Sequence, residues 1–574
     1  MKRKKNFKKK SFFFDDYSES EITFSGKNIN LLKISSSRVI FLFSIFLILI
    51  FIFSVKIIYL SLYPDRNFFS KNNNLNITKE RRDVVDRNGI ILARNINIYS
   101  AGVRPKLIKD KKKFLLKIRL IFPELDIKSI ENKIKNNKYF YLKKRLTPEE
   151  KDKLWLLGNK AFVFEPKPFR IYPQKSLFSH VLGQIDDNNI GISGIEKSFD
   201  KNLKNEELLD TSLHLTLDSN LQHLIRQELI KAQISFHNIG SAAVLMKVDN
   251  GEILSLISLP DYDLNKRISI KEDFYTNKVT LGVYELGSVF KTFTVAAGLE
   301  SKKINPKTKF ENLENSITCG KHKISEHHKL KKDLTAEEIL IQSSNIGAIK
   351  IAQKVGEKNY KNFLNSLEIF EKINFELEEI GKPIPFKWGK CKLATASYGH
   401  GITTTPLQLA KAYAILSNGG YKIDPFILKE KIKLIEPGNQ IISKTTSNEI
   451  NSILRKVVSL DEGTANFANI EGYEVAGKTG TAVKYKSNAK LNTFVALFPA
   501  SKPKYVLLVM LDEPKAAPNF VYEYPPSEKY PKGFKHKGET RNTSGWNTVV
   551  VAGKIIEKIG PILAINNLQA SSNF

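Results

Sequence analysis

Three short segments carry the residue types that nucleophilic catalysis needs. In YELGSVFKTFTVAAGLE (284–300), Ser288 follows Gly287 and precedes an apolar periodic run, so the spacing predicts a helix that starts at the serine. Lys291 then shares a helix face with Ser288. A serine hydroxyl is a weak nucleophile until a base takes its proton. A lysine supplies that base when burial or nearby positive charge lowers its pKa. In QSSNIGAIKIA (342–352), Ser343 and Asn345 open a second helical run. In VAGKTGTAV (475–483), Lys478, Thr479, Gly480 and Thr481 read as a strand. The lysine and threonines suit a carboxylate, and Gly480 lets a substrate backbone come close.

Each segment alone has a plainer reading. A serine at a helix start is usually a cap, an asparagine there is a common helix opener, and a strand lysine is usually solvated. Ser-x-x-Lys recurs at Ser487–Lys490, and Ser-x-Asn recurs at Ser70–Asn72 and Ser571–Asn573, all in polar stretches. The order and setting of the three segments distinguish them from these copies.

The elements that must position them follow from the hydrophobic pattern. Residues 1–38 are charged and Ser/Asn-rich and are expected to be a flexible tail. Residues 39–63 form an apolar run interrupted by Lys56, about one bilayer crossing. No small-residue cleavage site follows, so an uncleaved signal anchor is expected, with the basic N-terminus in the cytoplasm. An Asn-rich linker follows at 67–78. RRDVVDRNGIILARN (81–95) predicts a hairpin about Asn88-Gly89. The stretch 106–157 reads as Lys-rich helix, and 180–203 as short strands with Gly-rich turns. From Leu213 the chain reads as a strand, a helix and two strands to Ser258. Two more strands are expected at 493–500 and 504–514, and a closing helix after Trp546. Strands at both ends with helices between them predict one sheet covered by helices, an α/β or α+β domain.

The net charge of +31, from 90 Lys+Arg against 59 Asp+Glu, is spread along the chain rather than gathered in a basic and aromatic patch. That distribution argues against nucleic-acid binding. Cys319 and Cys391 are expected to be separate thiols, with a disulfide as the alternative. Cys319, His322, His327 and His328 are spaced somewhat like zinc ligands, but the Lys-rich segment reads as a loop. His400 reads as a structural turn residue, and Asp186-Asp187 as a turn.

Together the three segments resemble the S-x-x-K, S-x-N and K-T-G signature of the penicillin-binding protein and serine β-lactamase superfamily. RRDVVDRNGIILARN, GISGIEKSFDKNL, TLDSNLQ, AAVLMKVDNGEILSLISLPDYDLN and YGHGITTTPLQLAKAYAILSNGG are similar to landmark segments of its class B members. Leu286 departs from the family, where many members have proline. The resemblance implies a pedestal domain over 64–212, of the class B dimerisation type. It implies a transpeptidase domain over 213–574, with helices around an antiparallel sheet. It implies that Ser288 attacks the D-Ala-D-Ala amide of a peptidoglycan stem peptide, with Lys291 as base. Ser343 and Lys478 would handle the leaving-group proton, Asn345 would hold the substrate amide and orient Lys291, and Thr479, Gly480 and Thr481 would bind substrate. The backbone N–H groups of Ser288 and Thr481 would form the oxyanion hole. It implies no cofactor or metal, inhibition by β-lactams, an amine acceptor, and partners in the inner membrane such as a SEDS-type lipid II polymerase.

No segment between anchor and pedestal has the size of a glycosyltransferase domain. No Glu-x-x-Leu-Asn loop matches between Asn345 and Lys478; Glu378-Glu379-Ile380 is the nearest acidic cluster. Ser-Ser-Asn at 343–345 and Gly-Trp-Asn at 545–547 resemble the division-specific, septal type more than the elongation type. A non-catalytic β-lactam-binding scaffold or sensor is the alternative from another class.

Overall fold

The computed structural model describes residues 21–24, 27–62, 81–266, 272–320, 322–389, 391–432, 439–485, 487–526 and 530–572. Residues 1–77 and 78–574 form two separate compact units. In the first, a short antiparallel hairpin pairs Glu21–Phe24 with Lys27–Asn30, and a helix runs from Leu31 to Leu62. Within it, Arg38–Ile58 is long and apolar enough to cross a membrane. The helix thus begins inside the stretch expected to be a flexible tail, because no Gly or Pro separates Leu31 from the apolar run. Most of the tail and the linker expected at 67–78 lie outside the described residues.

The second unit opens with the expected hairpin. Val84–Val85 pairs with Ile91–Val103, and Asp86 accepts from the Asn88 and Ile90 backbone N–H groups to close the turn. The long strand continues between Phe140–Leu146 and Phe162–Ile171. Helices Lys111–Ile121, Ile127–Lys135 and Pro148–Leu156 belong to the same region. The reading of 106–157 as wholly helical is therefore corrected. Asn137, with φ of 55°, follows the second helix, and FYLKKRL then alternates as a strand. The 180–203 region is also corrected. It holds helices Ser179–Leu182, Gly194–Ser198 and Asp200–Leu203 with a single bridge between Ile185 and Gly191. Asp186 caps its own turn through the Asn188 and Ile190 N–H groups, as a turn residue should.

The C-terminal part of this unit is built on a five-stranded antiparallel sheet. Its order is Ala476–Val483, Lys490–Phe498, Tyr505–Asp512, Gly240–Lys247, Ile253–Leu259. Every residue of the central Tyr505–Asp512 strand is buried, so helices must cover both faces. Ser219–Phe236 and the closing helix Thr548–Ser572 pack against each other and the sheet. Lys291–Glu300, Pro406–Ser417 and Lys444–Ser459 form a second helical group against it. The core is continuous from Val84, Leu92, Val181 and Ile195 at the pedestal base to Leu508 and Ile555. A separate small core around Phe114, Ile118, Leu154 and Phe162 holds the outer part of the pedestal.

Cys319 and Cys391 form a disulfide with a Cα–Cα distance of 5.7 Å, which corrects the expectation of two thiols. The hairpin Ser316–Cys319/His322–Ser325 brings Cys319 to the residue that precedes the Lys392–Ser397 helix, a proximity across 72 residues that local sequence does not encode. The bond removes Cys319 as a thiolate ligand.

Candidate active site

Ser288 lies in a 3-10 turn, Gly287–Phe290, that runs straight into the Lys291–Glu300 helix. Gly287 takes a φ of 67° and faces the backbone of Thr481. A Cβ there would come 2.6 Å from the Thr481 carbonyl oxygen. A Cβ on Gly480 would come 2.2 Å from the Leu286 oxygen. Only glycine at both positions lets the strand edge and the Ser288 turn close onto each other. Tyr413 donates its hydroxyl to the Val289 carbonyl at 2.7 Å and bonds the Thr292 hydroxyl at 2.8 Å, which fixes the turn from behind.

The two motif lysines converge on one residue. Lys291 Nζ donates to the Ser343 carbonyl at 2.5 Å and to Ser343 Oγ at 3.2 Å. Lys478 Nζ donates to the same Oγ at 2.9 Å, and to Thr479 O and Oγ1 at 3.2 and 3.4 Å. Ser343 precedes the Asn345–Val355 helix and holds a φ of 60°, a left-handed conformation uncommon for a non-glycine residue. Ser344 caps that helix by accepting from the Gly347 N–H.

Both lysines have no exposed surface, and their partners among the described residues are hydroxyl and carbonyl oxygens. Burial therefore pushes the Lys291 ammonium down to about 7, and the Glu326 carboxylate opposes part of that shift. Lys478 is held well below the ordinary lysine value, first by burial and then by the charge of Lys291. Lys291 can thus exist as a free base near neutral pH.

Asn345 Nδ2 donates to the Ser325 carbonyl at 2.9 Å. Its Oδ1 is buried without a hydrogen-bond partner among the described residues. Lys291 reaches Ser343 rather than Asn345, so the expected orienting bond is made by the neighbour. Thr479 Oγ1 bonds Thr464 at 2.8 Å, and Thr481 Oγ1 accepts from the Ser544 N–H at 3.1 Å. Lys291, Ser343, Lys478 and Thr479 are thus joined by hydrogen bonds, and the turn that carries Ser288 abuts the Thr481 backbone through Gly287. The Gly545–Asn547 segment contributes through the adjacent Ser544.

Three features had no clear sequence signal. Glu326 binds the start of the Asn345 helix, Thr464 shares the Thr479 hydroxyl, and Glu285 meets His400 and Tyr485. Tyr485 Oη donates to Glu285 at 3.1 Å and approaches His400 Nε2 at 3.3 Å. His400 thus belongs to a cluster beside the Ser288 turn, beyond its turn role. Glu379 accepts from the Gly194 N–H, and Glu378 pairs with Lys197. That acidic pair ties 378–379 to the 194–197 helix.

The family model described as penicillin binding protein transpeptidase domain matches residues 241–524, which contain all three motifs. The penicillin-binding protein dimerisation domain matches residues 76–208. A probable peptidoglycan D,D-transpeptidase FtsI of Caulobacter vibrioides is 32% identical over 500 residues, 84% of this chain and 82% of the relative. The chain belongs to the class B penicillin-binding proteins. Members of this class are also represented by the peptidoglycan D,D-transpeptidase FtsI of Buchnera aphidicola, 29% identical over 84% of this chain and 91% of its own. Stage V sporulation protein D of Bacillus subtilis is 29% identical over 79% and 77%. By its membership, this class B penicillin-binding protein is a serine-type D,D-transpeptidase.

Proposed function

We propose that the chain crosslinks peptidoglycan stem peptides during septal wall synthesis, through an acyl-enzyme on Ser288. The observation that carries this reading is the pair of buried lysines joined through Ser343 beside the nucleophile turn. In acylation, neutral Lys291 takes the Ser288 proton as Oγ attacks the penultimate D-Ala carbonyl. The backbone N–H groups of Ser288 and Thr481 receive the oxyanion. Ser343, bonded to both lysines, takes that proton from the Lys291 ammonium as it hands its own to the leaving nitrogen, and D-Ala departs. Asn345 Oδ1 is an open acceptor for a substrate amide N–H. Lys478, Thr479 and Thr481 attract the terminal carboxylate. An amine of a second stem peptide then attacks the ester carbonyl, Ser288 recovers its proton, and the crosslink forms. A β-lactam would enter the same path and stop at the acyl-enzyme.

The septal assignment rests on the Ser-Ser-Asn and Gly-Trp-Asn segments and is in keeping with the two relatives named peptidoglycan D,D-transpeptidase FtsI. The Arg38–Ile58 span, preceded by a basic run, fits a single-pass inner-membrane protein with its N-terminus in the cytoplasm and residues 64–574 outside. Residues 64–212 would form the pedestal and 213–574 the catalytic domain. Partners would include a SEDS-type lipid II polymerase. Replacing residues 39–63 by an unrelated apolar span should impair septal recruitment, and normal recruitment would count against that partner reading.

The chemistry is tested by intact-mass analysis of the full-length protein, in detergent, after exposure to benzylpenicillin. One adduct per chain on the wild type and none on Ser288→Ala is expected. An adduct on both proteins, or on neither with the fold intact, would overturn the role of Ser288.

A further inference from the structure

The hairpin Ser316–Cys319/His322–Ser325 ends one residue before Glu326. The Glu326 carboxylate accepts three hydrogen bonds from consecutive residues: Ser344 Oγ at 2.6 Å, the Asn345 N–H at 2.8 Å and the Ile346 N–H at 2.9 Å. The Ser325 carbonyl takes a fourth, from Asn345 Nδ2. Residues 344–346 are therefore clamped directly after Ser343, whose left-handed backbone presents its carbonyl and hydroxyl to the lysines. Ser344 already caps the helix through Gly347, so the carboxylate adds an anion where the N-terminal dipole and Lys291 both favour one. The hairpin itself is tied to the start of the Lys392–Ser397 helix by the Cys319–Cys391 bond.

We infer that Glu326 is a positioning residue for acylation, holding the Ser343–Asn345 turn against Lys291 and setting the charge that Lys291 faces. The inference rests on the Ser288, Lys291 and Ser343 roles proposed above. The charged or titratable groups that face Lys291 are Glu326 and His327 from the hairpin end and Lys478 from the sheet edge. Of these, Glu326 alone favours the ammonium. Removing its charge makes Lys291 easier to deprotonate, so the acid limb of acylation moves to lower pH. A role confined to folding would not move that limb.

The test is the rate of acylation of the full-length protein in detergent by a fluorescent penicillin, from pH 5.5 to 9. Wild type, Glu326→Gln and Glu326→Asp are compared, with melting temperatures in parallel. Glu326→Gln is expected to acylate at least about tenfold more slowly at pH 8, with its acid limb at lower pH than the wild type. Glu326→Asp keeps the charge and is expected to keep the wild-type limb while losing rate. An unmoved limb in Glu326→Gln, with or without a slower rate, overturns the inference. Should Glu326→Gln fail to fold, Ser344→Ala removes one clamp donor and leaves the anion. Slower acylation with an unmoved limb supports the clamp, and a wild-type rate overturns it. Failure of the wild type to acylate at Ser288 would instead remove the proposed function.

Discussion

Lys411 and Lys291 are the same residue type, both fully buried on helices of the same domain, yet their partners differ. Lys411 meets two carboxylates, Glu368 at 2.5 Å and Asp424 at 2.6 Å. At the pedestal base the rule is stricter still. Arg81 and Arg170 share the unexposed Glu196 at 2.6 and 2.7 Å, and Arg81 adds Asp200 at 2.7 Å. Lys291 and Lys478 meet hydroxyl and carbonyl oxygens instead. A buried charge that supports the scaffold is paired, because an unpaired ion in low dielectric is costly. A buried lysine without a counter-ion is driven toward its neutral form, and neutral is the form a base requires.

Substitutions at the two kinds of site should separate rate from stability. The largest effect is on rate. Lys291→Met should slow Ser288 acylation by roughly a thousandfold or more, measured by the time course of penicillin adduct formation. The same variant should melt at or above the wild-type temperature, since an apolar chain replaces a desolvated amine. Glu196→Ala reverses the pattern. It leaves Arg170 without its carboxylate and Arg81 with Asp200 alone, and should cost about 3–5 kcal/mol, read by thermal unfolding of the full-length protein in detergent. Lys411→Met should cost less, about 1–3 kcal/mol, because Asp424 is partly exposed and Glu368 retains Lys422. Its acylation rate in the folded protein should match the wild type. A Lys411→Met variant that folds well but fails to acylate would break the comparison.

The smallest effect is a pH dependence of stability. Unfolded Lys291 titrates near the ordinary lysine value, whereas the folded group titrates at about 7. Between the two the unfolded state binds more protons, so stability rises with pH. The melting advantage of Lys291→Met over wild type should therefore shrink between pH 7 and 9, by at most about 1.4 kcal/mol per pH unit. A constant gap would mean that Lys291 is charged in the folded protein.

The elements that carry the three motifs were legible because each motif is local. Ser288 and Lys291 share one turn, Ser343 and Asn345 share one helix start, and Lys478 to Thr481 share one strand edge. The sheet strands were equally legible from continuous apolar runs such as YVLLVMLD. What escaped was what depends on long-range approach. Cys319 and Cys391 pair across 72 residues, and Glu326 gains its meaning from the Ser344–Ile346 segment that follows in space. The Phe140–Leu146 strand was hidden because a lysine-rich alternation lies between two real helices. That the nearby Glu326 carboxylate bonds residues 344–346 while Lys291 bonds Ser343 was not legible at all, since pairing is a property of the packed structure.

The pH dependence of Ser288 acylation, followed with a fluorescent penicillin and confirmed by intact mass, tests the central claim most directly. The account predicts a rate that is steady above about pH 7, where Lys291 is neutral, and falls about tenfold per unit below it. A rate that stays level down to pH 5, with the adduct still on Ser288, would contradict Lys291 as the base.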